Sequence, residues 1–123
     1  MLQRALILFA HGARSAAWAA PFERLRDLVQ ARQPDVQVAL SFLEMMAPRL
    51  PELVPELVRG GTTQITVVPV FLGQGGHVLR DLPLMIDQLR ADHPDVEIRV
   101  AEAAGENAAV LNAIGDYCVS ALN

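Results

Sequence analysis

The chain lacks lysine altogether: all ten of its basic residues are arginine. That absence excludes Schiff-base chemistry and the phosphate-loop lysine of G-x-x-x-x-G-K-[ST]. Cysteine is nearly absent as well. Cys118 stands alone, so no internal disulfide can form, and its place on an apolar stripe predicts a small core residue. A reducing, cytoplasmic setting fits that usage. Aromatics make up only 5% of the residues, which leaves Leu, Val, Ile and Ala to build the core. No apolar run approaches the ~20 residues of a membrane span. No basic leader precedes the first strand-like run, so no signal peptide is expected. An excess of positive charge is missing too: the net charge of −4 argues against a nucleic-acid surface.

What remains, 123 residues of which 52% are hydrophobic, suits one α/β domain spanning 1–123. Ala5–Ala10 is a continuous apolar run, as in a strand covered on both faces. Trp18, Phe22, Leu25, Leu28 and Val29 share a helical face, and Gln33-Pro34-Asp35 ends that helix. Val36–Leu43 reads as a second strand. Leu50, Leu53, Val54, Leu57 and Val58 form a second helical stripe that tolerates Pro51 in its first turn and is strained by Pro55. Gly60-Gly61 closes it.

A third strand, from about 64 to 70, runs into Gly73, Gly75 and Gly76, where backbone freedom is expected. His77 follows, and Asp81 and Pro83 read as the start of a third helix carrying Leu82, Ile86 and Leu89. His93-Pro94-Asp95 stops that helix, with His93 at the surface. Val96–Ala101 is a fourth strand, and Val110, Ile114, Tyr117, Cys118 and Ala121 mark a fourth helix. Strands alternating with helices imply a parallel sheet with right-handed crossovers and helices on both faces.

His11, Glu44 and His77 are evenly spaced, 33 positions from one to the next, and each ends a successive strand. In the doubly wound order 2-1-3-4, strand 1 lies between strands 2 and 3. The three residues then emerge at one edge of the sheet, where open α/β folds bind ligands. Each taken alone reads as an ordinary loop residue, and Glu44 as a helix cap. Together they are a candidate site of two imidazoles and a carboxylate, suited to Co, Ni, Fe or Zn. Arg14 and Arg80 flank the histidines. They are either solvated surface or anchors for carboxylate or phosphate.

Three segments carry a family resemblance. These are Ile7-Leu8-Phe9-Ala10-His11-Gly12-Ala13-Arg14, then Phe42-Leu43-Glu44, then Val68-Pro69-Val70-Phe71-Leu72-Gly73 with Gly76-His77 and Asp81-Leu82-Pro83. Together they resemble the small CbiX-type sirohydrochlorin chelatases, class II chelatases that insert Co²⁺ or Fe²⁺ into a tetrapyrrole. The resemblance implies a flavodoxin-like αβα unit like one half of the two-lobed members. It implies a homodimer with the tetrapyrrole in the cleft.

On that resemblance His11 and His77 hold the metal, and Glu44 acts as a ligand or takes protons. Arg14, Gly75, Gly76 and Arg80 contact the sirohydrochlorin-like substrate. The divalent ion (Co²⁺, Fe²⁺ or Ni²⁺) is a substrate and no organic cofactor is implied. Cobalamin or siroheme biosynthesis is the implied setting. Two other readings stay open. One is a phosphohistidine-type phosphatase with His11 as nucleophile and Arg14 on phosphate. The other is a non-catalytic metal or tetrapyrrole carrier using the same ligands.

Overall fold

The computed structural model describes residues 3–123, apart from the side chain of His77. Four strands, β1 (Arg4–Ala10), β2 (Gln37–Phe42), β3 (Gln64–Pro69) and β4 (Glu97–Val100), form one parallel sheet in the order β2-β1-β3-β4. β1 pairs with β2 and with β3, Ala5 opposite Gln37 on one side and opposite Ile65 on the other. The expected order is therefore the observed one. The strand limits fall within two residues of those read from the β-branched runs.

The helices are α1 (Ala20–Arg32), α2 (Leu50–Arg59), α3 (Gly76–Asp92) and α4 (Ala108–Ser120). Two 3-10 turns, Ala16–Ala19 and Ala104–Glu106, precede α1 and α4. None of the described helices is long and apolar enough to cross a membrane.

Two apolar layers enclose the sheet. On one face Ala5, Ile7 and Phe9 of β1, with Ile65 and Val67 of β3, pack against Leu50, Leu53, Val54 and Leu57 of α2 and Val78, Leu82, Ile86 and Leu89 of α3. On the other, Leu8, Ala10, Val38, Leu40 and Phe42 meet Ala19 and, more loosely, Trp18, Phe22, Leu25 and Val29. Each fully buried Leu, Ile, Val or Phe contributes about 1.5–3 kcal/mol. The layering is thus decided by the alternation along β1 and β3.

In α2, Pro51 sits in the first turn as expected, and the helix continues through Pro55. Its stripe is buried at Leu50, Leu53, Val54 and Leu57, and that burial outweighs the lost hydrogen bond. Gly60 caps the end, and Gly61 follows at φ 104°.

Four expectations are corrected. First, α3 does not start at Asp81 and Pro83. It starts at Gly76, with Gly75 as its cap, and both residues lie inside it. Val78, only 1% exposed, anchors the added first turn to the core and overrides the proline. Second, Leu28 is not on the packed face of α1 but 63% exposed, because that face is set by Phe22, Leu25 and Val29.

Third, the glycines after β3 are not where the backbone needs glycine. Gly75 has φ −74°, whereas the left-handed glycines are Gly12 and Gly61. Fourth, Cys118 is exposed and not in the core, because α4 touches chiefly the 3-10 turn before it and does not lie on the sheet.

Candidate active site at the carboxyl ends of the strands

His11 and Glu44 are brought together by backbone. Pairing of β1 with β2 continues past the end of β2: Leu43 N–H donates to the Ala10 carbonyl at 2.9 Å, and Glu44 N–H to the His11 carbonyl at 3.2 Å. Gly12 allows this. It has φ 97°, and a Cβ there would overlap the Glu44 carbonyl oxygen. The loop carrying Glu44 is closed behind it. Ser41 Oγ and Phe42 N–H both donate to the Pro48 carbonyl at 3.0 Å, and Arg49 Nε donates to the Leu43 carbonyl at 3.2 Å. Met45, next in the chain, is held at φ 67°, a left-handed conformation unusual for a residue with a side chain.

His11 Nε2 and Glu44 Oε1 lie 3.5 Å apart, with their side chains 49% and 42% exposed. Two ligands at ~2.1 Å from one ion in tetrahedral geometry stand about 3.4 Å from each other. The observed spacing therefore suits a shared divalent ion as well as a shared proton.

The floor beneath His11 is aromatic. Its ring meets Phe71 edge-on at 6.0 Å, and Phe71 meets Phe9 edge-on at 5.8 Å. Phe71 is 7% exposed. It is fixed by Val70 N–H donating to the Phe9 carbonyl at 2.8 Å and by Gly105 N–H donating to its own carbonyl at 2.7 Å. A buried ring held by two strands and a turn restricts where the imidazole can lie.

His77 is the second residue of α3, at the carboxyl end of β3 and beside β1 in the sheet. Its side chain lies outside the described residues. Gly75 and Gly76 face open space, with nothing within 4 Å of an added Cβ. Arg80 is 72% exposed, and its Nε lies 3.6 Å from Asp81 Oδ1. Arg14 is exposed in the loop after β1, without an ion pair among the described residues. Among the described residues no three His, Cys, Asp or Glu side chains converge on a point.

The apolar residues around the glycine loop divide. Val78 and Leu82 belong to the core, while Leu72, Leu79 and Met45 are each more than half exposed. Met46 packs partly against the α1 layer. A hollow of about 530 Å³ runs along the outer edge of β2, between α1 and α2, and includes neither His11 nor Glu44. The strand-end pair stands on an open surface.

Two residues are given no role in this site by the sequence reading: Gly12 and Phe71. A glycine placed directly after a strand, and an aromatic in an aromatic-poor chain, were the available signals.

A CbiX family model matches residues 5–120. A sirohydrochlorin cobaltochelatase of Methanocaldococcus jannaschii is 32% identical over 89 residues, covering 72% of this chain and 62% of that protein. The match to one from Methanopyrus kandleri, 33% identical, covers 57% of that protein. The chain thus spans less than two thirds of these curated relatives. Among solved structures, a CbiX protein from Marinobacter aquaeolei VT8 superposes with TM-score 0.84 at 36% identity, covering 97% of both chains. The sirohydrochlorin chelatase SirB of Bacillus subtilis subspecies spizizenii, in complex with cobalt, shares the fold at TM-score 0.80 and 23% identity. That match covers 97% of this chain and 51% of SirB. With the family model matched over residues 5–120 and the same fold in a solved relative covered to 97% on both sides, this chain belongs to the CbiX family.

Proposed function

We propose that the protein inserts a divalent metal, Co²⁺ or Fe²⁺ and also Ni²⁺, into sirohydrochlorin or a close tetrapyrrole. The observation that carries this reading is the His11–Glu44 pair, 3.5 Å apart and half exposed at the carboxyl edge of the sheet. Curated relatives named sirohydrochlorin cobaltochelatase support the substrate class.

Insertion exchanges two pyrrole N–H protons for one divalent ion. The ion must shed its previous ligands while the protons leave. A neutral imidazole at His11 binds a borderline metal firmly enough to present it and weakly enough to release it. Glu44, beside it, takes protons from the macrocycle and passes them to water, which its exposure allows. His77, the second residue of α3, is the third member of the set. The metal is a substrate, and no organic cofactor has a part. Arg14 and Arg80, with the open backbone at Gly75 and Gly76, receive the carboxylates of the macrocycle.

The working species is a homodimer of one-domain chains. The site is an open edge, and a partly stripped ion transfers best where water is kept away. Met45, Leu72 and Leu79 give that edge an apolar rim that a second copy can cover.

Incubation with sirohydrochlorin and each ion in turn, followed by absorption spectroscopy, tests the reading. Catalytic conversion of many macrocycles per chain is expected. Stoichiometric uptake without turnover identifies a carrier, and no spectral change with any of the three ions refutes the proposal.

A further inference from the structure

The loop between β2 and α2 carries Glu44 near its start and Arg49 at its end. Arg49 is rooted in the core. Its carbonyl accepts from Glu52 N–H at 3.0 Å and from Leu53 N–H at 2.9 Å, and Leu50 beside it is fully buried. Pro48, just before it, is pinned through its own carbonyl by Phe42 N–H and Ser41 Oγ. From that root the Arg49 side chain reaches back along the loop, and its Nε donates to the Leu43 carbonyl at 3.2 Å.

Peptide geometry decides on which side the guanidinium stands. In a trans peptide the C=O and the N–H point in opposite directions, and the bond between Leu43 and Glu44 is trans. Glu44 N–H points at the His11 carbonyl, toward β1. The Leu43 carbonyl of the same peptide therefore points away from β1. Because β2 is an edge strand, Arg49 lies beyond the outer edge of the sheet, at the level of Glu44. Strands are ~4.8 Å apart, which places Arg49 two spacings, roughly 10 Å, from His11. That is too far to touch an ion held by His11 and Glu44. It is where the carboxylate arms of a plate centred on that ion would reach.

The guanidinium has a binding end to spare. It is a rigid fork of five N–H donors, and the bond to Leu43 uses the one on Nε. The end formed by Nη1 and Nη2 matches both oxygens of a carboxylate. Arg49 is exposed, and no described carboxylate lies within ion-pair distance of it. Arg80, by contrast, shares its charge with Asp81. A side chain already held at Nε also loses less freedom when a ligand binds.

We infer that Arg49 is a substrate-binding residue: its Nη1–Nη2 fork takes one carboxylate arm of the macrocycle on the β2 side and so orients the plate over His11 and Glu44. The inference rests on the chelatase reading above and adds to it a contact that fixes orientation.

The test titrates metal-free sirohydrochlorin into the full chain, followed by the fluorescence of the macrocycle, and Co²⁺ into the same proteins by calorimetry. Arg49→Gln should weaken macrocycle binding about tenfold or more, the loss of one charge-assisted bidentate contact. Arg49→Lys keeps the charge without the fork and should weaken it by a smaller factor. Affinity for Co²⁺ should be unchanged in both. In insertion assays KM should rise with kcat held. The methyl-esterified macrocycle, which has no charged arms, should bind the wild type and Arg49→Gln alike.

Sirohydrochlorin binding unchanged in Arg49→Gln overturns the inference and leaves the chelatase reading standing. So does a variant that loses Co²⁺ and macrocycle together, or one that loses kcat at constant KM, since either would make Arg49 a latch for the Glu44 loop alone. A wild-type protein that takes up Co²⁺ but binds no sirohydrochlorin overturns both.

Discussion

Gly12→Ala should be the most damaging small substitution at the strand ends. Gly12 sits at φ 97°, and the added methyl would overlap the Glu44 carbonyl oxygen. Holding alanine in left-handed backbone costs about 1–2 kcal/mol. Moving the Glu44 peptide aside breaks its hydrogen bond to the His11 carbonyl, a further ~1 kcal/mol. The sum is roughly 2–3 kcal/mol. For 123 residues, an unfolding entropy near 2.1 cal/mol/K per residue turns this into a fall in Tm of about 8–12 °C. Thermal unfolding followed by far-UV circular dichroism reads it directly. The insertion rate should fall with it at temperatures where the variant is fully folded, because the peptide that moves carries Glu44. Gly76→Ala is the internal control. An added Cβ there meets nothing within 4 Å and the position is helical, so Tm should hold or rise by the equivalent of up to ~1 kcal/mol. A Gly12→Ala protein whose Tm drops by less than about 3 °C would show that the two strand ends are not held by this close approach.

Two further variants probe the chemistry and its support. His11→Ala should abolish insertion while stability stays within about 0.5 kcal/mol, since its side chain is half exposed. Substantial residual insertion would remove the residue from the mechanism. Glu44→Gln should slow insertion strongly and weaken metal binding, measured by titration calorimetry, much less. Equal losses would make Glu44 a plain ligand. Phe71→Ala should cost about 3–5 kcal/mol of stability and Phe71→Leu less than ~1.5, yet Phe71→Leu should still slow insertion because His11 loses its edge-on neighbour. A Phe71→Leu variant at the wild-type rate would show that the ring serves packing alone.

The sheet was legible because its evidence is local and redundant. Each strand is a β-branched or apolar run bounded by polar turns, and the even spacing of His11, Glu44 and His77 is one strand-and-helix unit repeated. The pairing of His11 with Glu44 follows from strand order alone, which is why it could be read without coordinates. The start of α3 could not be read so simply. Asp81 and Pro83 are good start signals, but the burial of Val78 decides the matter, and burial depends on tertiary contact. Gly12 and Phe71 do their work through approach and packing, to which charge and titration give no clue. The apolar stripe on α4 identifies a helix but not what it packs on: Cys118 lies on that stripe and is exposed, because α4 touches chiefly the 3-10 turn before it.

The core of one copy is complete by Ala103, the last buried apolar residue along the chain, and α4 adds nothing to it. Synthesis proceeds from the N-terminus, so every strand and the three packed helices have emerged before α4 has. Folding of the body is then a first-order event independent of protein concentration, and any association through α4 is a second-order event that follows it. Refolding of diluted protein should separate into two phases on that basis: a rise of far-UV signal whose rate ignores dilution, and a later change at Tyr117 or Cys118 whose rate scales with it.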